Sequence, residues 1–86
     1  MVKKFEIDLS TAHSDYEVDI DAKLVYFGQV DDTCYIKIND KTGELIQVTE
    51  GMYLETDHRF RKFYINNEAG SGKLVFYASD HVKIRG

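Results

Sequence analysis

The feature that most limits what this chain can fold into is a period-two alternation of apolar and polar residues, interrupted only by short turn segments. "KKFEIDL" places Phe5, Ile7 and Leu9 on one side. "YEVDIDA" does the same with Tyr16, Val18, Ile20 and Ala22, and "CYIKIND" with Cys34, Ile36 and Ile38. "LIQVTE" turns Ile46 and Val48 inward. "KLVYFGQ", "FRKFYIN" and "KLVFYAS" are apolar on both faces, as expected of strands covered on two sides. "MYLE" and "HVKIR" complete eight or nine short strands, and helical spacing is nowhere sustained.

In 86 residues this pattern predicts a single domain over 1–86. Its class is all-β, a compact antiparallel β-sandwich with jelly-roll-like winding, or alternatively a small β-barrel. Six Tyr and five Phe suit pleated, half-buried surfaces. Without a single proline, edge protection is expected from charges, bulges or burial against other chains. Gly43 in "NDKTGE" is expected to supply a positive φ for a hairpin turn, and Gly51 a second sharp turn.

No apolar run approaches the roughly 18–20 residues that span a bilayer, so no membrane segment is expected. "MVKKFEIDLS" puts Glu6 and Asp8 where a cleaved signal needs apolar residues, which predicts a protein made in the cytoplasm. Cys34 is the only cysteine, which excludes an internal disulfide framework and reads as a small core residue. The net charge of −4 lies in the first half of the chain; the second half is balanced. That balance argues against nucleic acid, which needs a basic field.

Several segments carry chemistry-bearing residue types. "NEAGSGKL" resembles a phosphate-binding loop, but the first required glycine is Asn67, and Leu74 stands where the magnesium-binding hydroxyl belongs. The residues after it read as strand rather than helix, so a hairpin turned by Gly70 and Gly72 is expected, with Lys73 an exposed charge. "DYEVDID" lines up Asp15, Glu17, Asp19 and Asp21 along one strand face. A row spaced about 6.7 Å per pair cannot converge on one calcium ion. It reads as a solvated face, or as an acidic docking face for the basic segment "DHRFRKFY" on a neighbouring subunit. "HSD" (His13, Ser14, Asp15) reads as a polar turn, because triad residues come from separated segments. Nothing in the spacing couples Cys34 to His58 or His81. No catalytic residue, metal ligand or cofactor is expected, and the chain reads as non-enzymatic.

The most useful signal is the second apolar face of the last strands. With Phe63, Ile65, Leu74 and Phe76 inward, Phe60, Lys62, Tyr64, Val75 and Tyr77 point the other way. They form a candidate interface, unless flanking strands or loops cover them. The ordered pieces "VDI…VYF…CYIKIND…IQVTEGMYL…FRKFYINNEAGSGKLVFYAS" resemble a type of small bacteriophage virion protein. The matching residues are Ile46, Val48 and Gly51, then Phe63, Tyr64, Ile65, Asn67, Ala69, Gly70, Gly72, Lys73, Leu74 and Val75. The resemblance covers about residues 18–79 and implies a decoration, head or tail component, with no catalytic residues to carry over. Such a protein would form homo-oligomers or dock on other virion proteins. A small β-sandwich binding module, taking a carbohydrate or small ligand on aromatic side chains, is the alternative.

Overall fold

The computed structural model describes residues 2–80. Six strands follow one another: β1 (Val2–Asp8), β2 (His13–Val30), β3 (Tyr35–Ile38), β4 (Ile46–Gln47), β5 (Tyr53–Asn67) and β6 (Lys73–Ser79). All six join one antiparallel sheet in the order β1-β6-β2-β5-β3-β4. The all-β class is as expected. The architecture is not a pair of sheets, and the sheet stays open rather than closing into the alternative barrel. The expected strand "HVKIR" lies outside the described residues.

Fewer, longer strands form because residues that read as turns act as bulges. "YEVDIDA" and "KLVYFGQ" are one strand of 18 residues, β2. Asp15 (φ 50°) and Asp21 (φ 53°) take left-handed conformations inside it, which Asp tolerates better than most residues. At each, β2 slips one residue against β5. "HSD" is therefore the start of a bulged strand rather than a turn. "MYLE" and "FRKFYIN" likewise merge into β5, whose residues 56–59 bulge out opposite Lys23.

These bulges bend the sheet. Straight, β2 would reach roughly 60 Å at about 3.3 Å per residue, yet the longest dimension of the chain is 41 Å. At one end His13 pairs with Asn67, the last residue of β5; at the other, Val30 pairs with Leu74 near the start of β6. The loop of residues 68–72 joins those two places, and it can extend no further than about 20 Å. β2 therefore curls until its ends approach each other. β5 and β6 flank β2 without pairing to one another, so the hairpin expected at Gly70–Gly72 is a crossing between the two ends of β2.

Curling brings the inner faces of the two halves together around the phenylalanines. Phe5, Phe76 and Phe27 are cross-strand neighbours on β1, β6 and β2, with ring centroids 4.9 and 5.4 Å apart. Phe63, from the far half of β5, reaches back to within 6.3 Å of Phe27 and 5.7 Å of Phe76. Phe60 meets Phe63 edge-on at 5.6 Å. Ile7, Leu9, Ile20, Val25, Cys34, Ile36, Val48 and Ile65 fill the rest of the core, as the alternation predicts.

Two turn assignments change. Asn39, not Gly43, carries the positive φ (62°) after β3. Its Oδ1 accepts the N–H groups of both Arg61 and Lys62, and its Nδ2 donates to the Arg59 carbonyl. Gly43 closes an ordinary turn by donating to the Asp40 carbonyl at 3.0 Å, while Gly51 (φ 90°) is left-handed as expected.

Because Phe63 carries the far half of β5 onto both Phe27 and Phe76, Phe63→Ala should cost about 3–5 kcal/mol, read as a fall in the denaturant midpoint. Asn39→Ala should cost about 1–3 kcal/mol, since its side chain closes three backbone groups of β5.

Candidate functional site

The glycine loop is the first place to look for a site, because its backbone donors could hold an anion. They are already taken by the chain itself. Ser71 donates to Asp32 Oδ2 at 3.0 Å and Lys73 to Asp31 Oδ2 at 2.9 Å. Gly70 donates to the Leu9 carbonyl, and Leu9 in turn to the Gly72 carbonyl. The two carboxylates from the β2–β3 loop occupy the position a phosphate would need. The glycines let them approach: a Cβ on Gly70 would lie 2.2 Å from Asp32 Oδ2, and one on Gly72 2.3 Å from Asp31 Cβ. The Lys73 N–H, and after it the Gln29 amide, hold the Asp31 carboxyl below its ordinary pKa.

The acidic row and the basic segment also meet within one chain. Lys62 bridges Glu17 and Asp19 at 2.6 and 3.0 Å, and their hydrogen bonds raise its pKa. Arg59 binds Asp21 at 2.8 Å and Asp80 at 2.6 Å, fastening the bulge at the bend of β2. Asp15 takes Lys37 at 3.0 Å and exchanges hydrogen bonds with Asn66. Lys37, and then Asn66, keep its carboxyl low. These partners divide the row into separate pairs, so it offers no convergent ligand set. No group of three metal-binding side chains occurs among the described residues. The aromatic residues of "DHRFRKFY" offer no stacking platform to a nucleic-acid base, since Phe60, Phe63 and Tyr64 are buried.

Cys34 is fully buried, and burial pushes its thiol up to about 11, a protonated group at neutral pH. His13 sits at the rim of an open polar cleft of about 570 Å³ with Asp32, Tyr35, Asn67 and Glu68. Asn67 Nδ2 donates to the carbonyls of Leu9, Thr11 and Glu68, which leaves its Oδ1 as the acceptor for His13 Nδ1 at 2.7 Å. His13 is thereby fixed with Nδ1 protonated. Its sequence neighbour Asp15 faces Lys37 instead, so "HSD" assembles no triad. His81 lies outside the described residues.

The expected interface set divides. Phe60 belongs to the core, at 6% exposure, and Tyr64 and Val75 are only 7% and 5% exposed. Phe60 turns inward because Arg61 and Lys62 both aim their N–H groups at Asn39, which breaks the alternation between Phe60 and Phe63. Tyr64 lies between Glu17 and Lys37 in the sheet, under the Lys41 ammonium at 5.9 Å. Val75 lies between Glu6 and Gln29. Lys62 is engaged by its two carboxylates, and only Tyr77 belongs to an open aromatic surface.

That surface is the outer face of β1, β6, β2 and β5. Register places Lys4, Tyr77, Tyr26 and Tyr53 in one row across the four strands. Tyr26 and Tyr53 are 45% and 61% exposed. Gly28 lies beneath, where an added Cβ would stand 3.0 Å from Tyr77 Cε2, so the ring settles over bare backbone. The next row is Val2, Ser79, Leu24 and Glu55. Leu24, Tyr26, Tyr53 and Glu55 surround a shallow hollow of about 210 Å³. Sequence reading marks "KLVYFGQ", with Tyr26, as apolar on both faces without choosing the open one, and it misses Tyr53. The usable signal was residue type: all five phenylalanines pack into the core region and the exposed aromatics are tyrosines, whose hydroxyl favours a wet position.

Gly72→Ala should destabilise by about 2–4 kcal/mol, combining the left-handed backbone with the collision against Asp31. Gly51→Ala, left-handed with open space around it, should cost only about 1–2 kcal/mol. The difference, read from denaturant midpoints, isolates the collision. A carboxyl whose folded pKa is depressed stabilises above its unfolded value and loses that contribution as pH falls through the folded value. Thermal midpoints should therefore be flat above about pH 5 and fall below about pH 4, with a shallower acid limb in Asp31→Asn. Comparison with protein-family models, curated proteins and solved structures finds no match.

Proposed function

We propose that this chain is a non-enzymatic assembly protein, a small structural component of a bacteriophage virion, which works by docking the outer face of its sheet. The observation that carries this reading is the open row Tyr77–Tyr26–Tyr53 beside Leu24 and Val2, an aromatic surface with charged residues at its margins. Interfaces favour tyrosine, which offers a large apolar area, a polar tip and little rotamer entropy to lose. The turn-and-strand resemblance to small virion proteins supplies the class. On this reading the protein is made in the host cytoplasm and ends in the particle. The facing halves of the sheet hide the phenylalanines, as the layers of a sandwich would, and leave the tyrosines outside.

The hollow formed by Leu24, Tyr26, Tyr53 and Glu55 favours a second reading. A sugar ring could stack on a tyrosine while Glu55 accepts from its hydroxyls. The two readings separate experimentally. As an assembly protein the chain should gain mass with concentration in light scattering, or co-sediment with phage heads or tails, and Tyr26→Ser/Tyr53→Ser should lower either signal at least tenfold. A monomer that ignores such particles, yet gives a saturable tyrosine-fluorescence change with a glycan, would overturn the assembly reading in favour of the binding module.

A further inference from the structure

We infer that the occupant of the tyrosine face is a second copy of this chain, packed face to face about a two-fold axis that runs along the strands between β6 and β2. The inference rests on the reading of this face as the assembly surface and adds its partner and register. Two sheets that meet face to face can be related by an axis in the plane between them, either along the strands or across them. An axis across the strands, through the tyrosine row, would set Lys4 on Lys4. An axis along the strands keeps each row in place and reverses its order. Lys4–Tyr77–Tyr26–Tyr53 then lies on Tyr53–Tyr26–Tyr77–Lys4 of the other copy.

In that register the tyrosines Tyr77 and Tyr26 cover one another at the centre. Each Lys4 ammonium meets the face of the partner's Tyr53, a cation–π arrangement. The adjacent row reverses too, so Val2 covers the partner's Glu55 stem and Leu24 the partner's Ser79. That brings Glu55 beside the incoming Lys4. Among the described residues Lys4 is bridged to Glu6 alone, at 3.1 Å, with both side chains about half exposed. An exposed pair of this kind is worth about 0–1 kcal/mol, so Lys4 can be recruited at little cost.

The size of the patch sets the strength. Four strands at about 4.8 Å, each covering some seven residues at about 3.3 Å, give a footprint of roughly 400 Å² per copy. Stable complexes bury about 800 Å² per partner. The pairing is therefore a weak, reversible one in free solution, and it becomes firm where many copies are held together on one particle.

Sedimentation velocity over a concentration series tests this with charge reversals at Lys4 and Glu55, both exposed. Lys4→Glu and Glu55→Lys should each raise the dimer dissociation constant about three- to tenfold. The double variant should lose clearly less than the product of the two single losses, because the reversed charges still face each other even though the contact of Lys4 with Tyr53 is gone. Additive loss in the double variant would overturn the register while leaving the assembly face standing, provided Tyr26→Ser/Tyr53→Ser abolishes the dimer. A dimer indifferent to both tyrosines would overturn the assembly-face reading itself. A monomer at every concentration that still co-sediments with phage particles would overturn self-pairing alone. Circular dichroism of each variant confirms that the sheet is retained.

Discussion

The grip of Asp31 and Asp32 on the N–H groups of Lys73 and Ser71 is the contact on which the rest of the architecture depends. A strand as long as β2 is normally straight, and its ends then lie far apart. Here a short loop must pass from the partner at one end to the partner at the other, and every backbone donor it exposes needs an acceptor. The two carboxylates and the Leu9 carbonyl accept from Ser71, Lys73 and Gly70, while the Asn67 amide ties the same loop by donating to the Glu68 carbonyl. Once the ends are tied, the halves of the sheet face each other, and Phe63 can reach Phe27 and Phe76.

Magnitudes separate what stabilises this fold from what directs it. Among the described residues seventeen apolar ones are buried, and each large side chain contributes about 1.5–3 kcal/mol. The ion pairs at Lys62 and Arg59 are exposed, and pairs of that kind contribute about 0–1 kcal/mol each. Their value is positional. Asp21 and Arg59 sit at the bend, where β2 gains a residue and β5 bulges. Asp15, with Asn66 and Lys37, sits at the other bulge. The row that looked like a surface for another molecule is thus largely spent on bending its own strand.

Which residues lie inside was readable from alternation wherever the strand is regular. Phe5, Ile7 and Leu9, Cys34 and Ile36, and Val48 all lie where the two-residue period puts them. The failures share one cause. A bulge continues a strand through residues that in one dimension look like a turn, the left-handed Asp21 in β2 and residues 56–59 in β5, so each reads as two strands. A bulge also inverts the parity of everything beyond it, which is why Phe60 points into the core and not outward with Tyr64. Neighbours in sequence need not be neighbours in the sheet, and β2 lies between β5 and β6, which a local pattern reads as a hairpin. Non-local hydrogen bonds, such as those from Arg61 and Lys62 to Asn39, decide these points, and no local pattern encodes them.

The split between phenylalanine and tyrosine carries the functional argument further than the strand pattern could. Both rings suit a pleated surface equally well, so β-propensity cannot explain why the phenylalanines gather in the core region while Tyr26 and Tyr53 stay open. A hydroxyl in the core would need a partner there, whereas on the outer face it can keep water until something replaces it. Gly28 strengthens the point. A strand built only for stability would place a β-branched residue at that position, since glycine in a strand costs entropy and leaves no side chain to pack. With glycine there, Tyr77 lies close against the backbone and the neighbouring surface stays level enough for another sheet to approach. The fold gives up a little intrinsic strand stability where Tyr77 settles on bare backbone, an exchange that accords with the docking role proposed for this face.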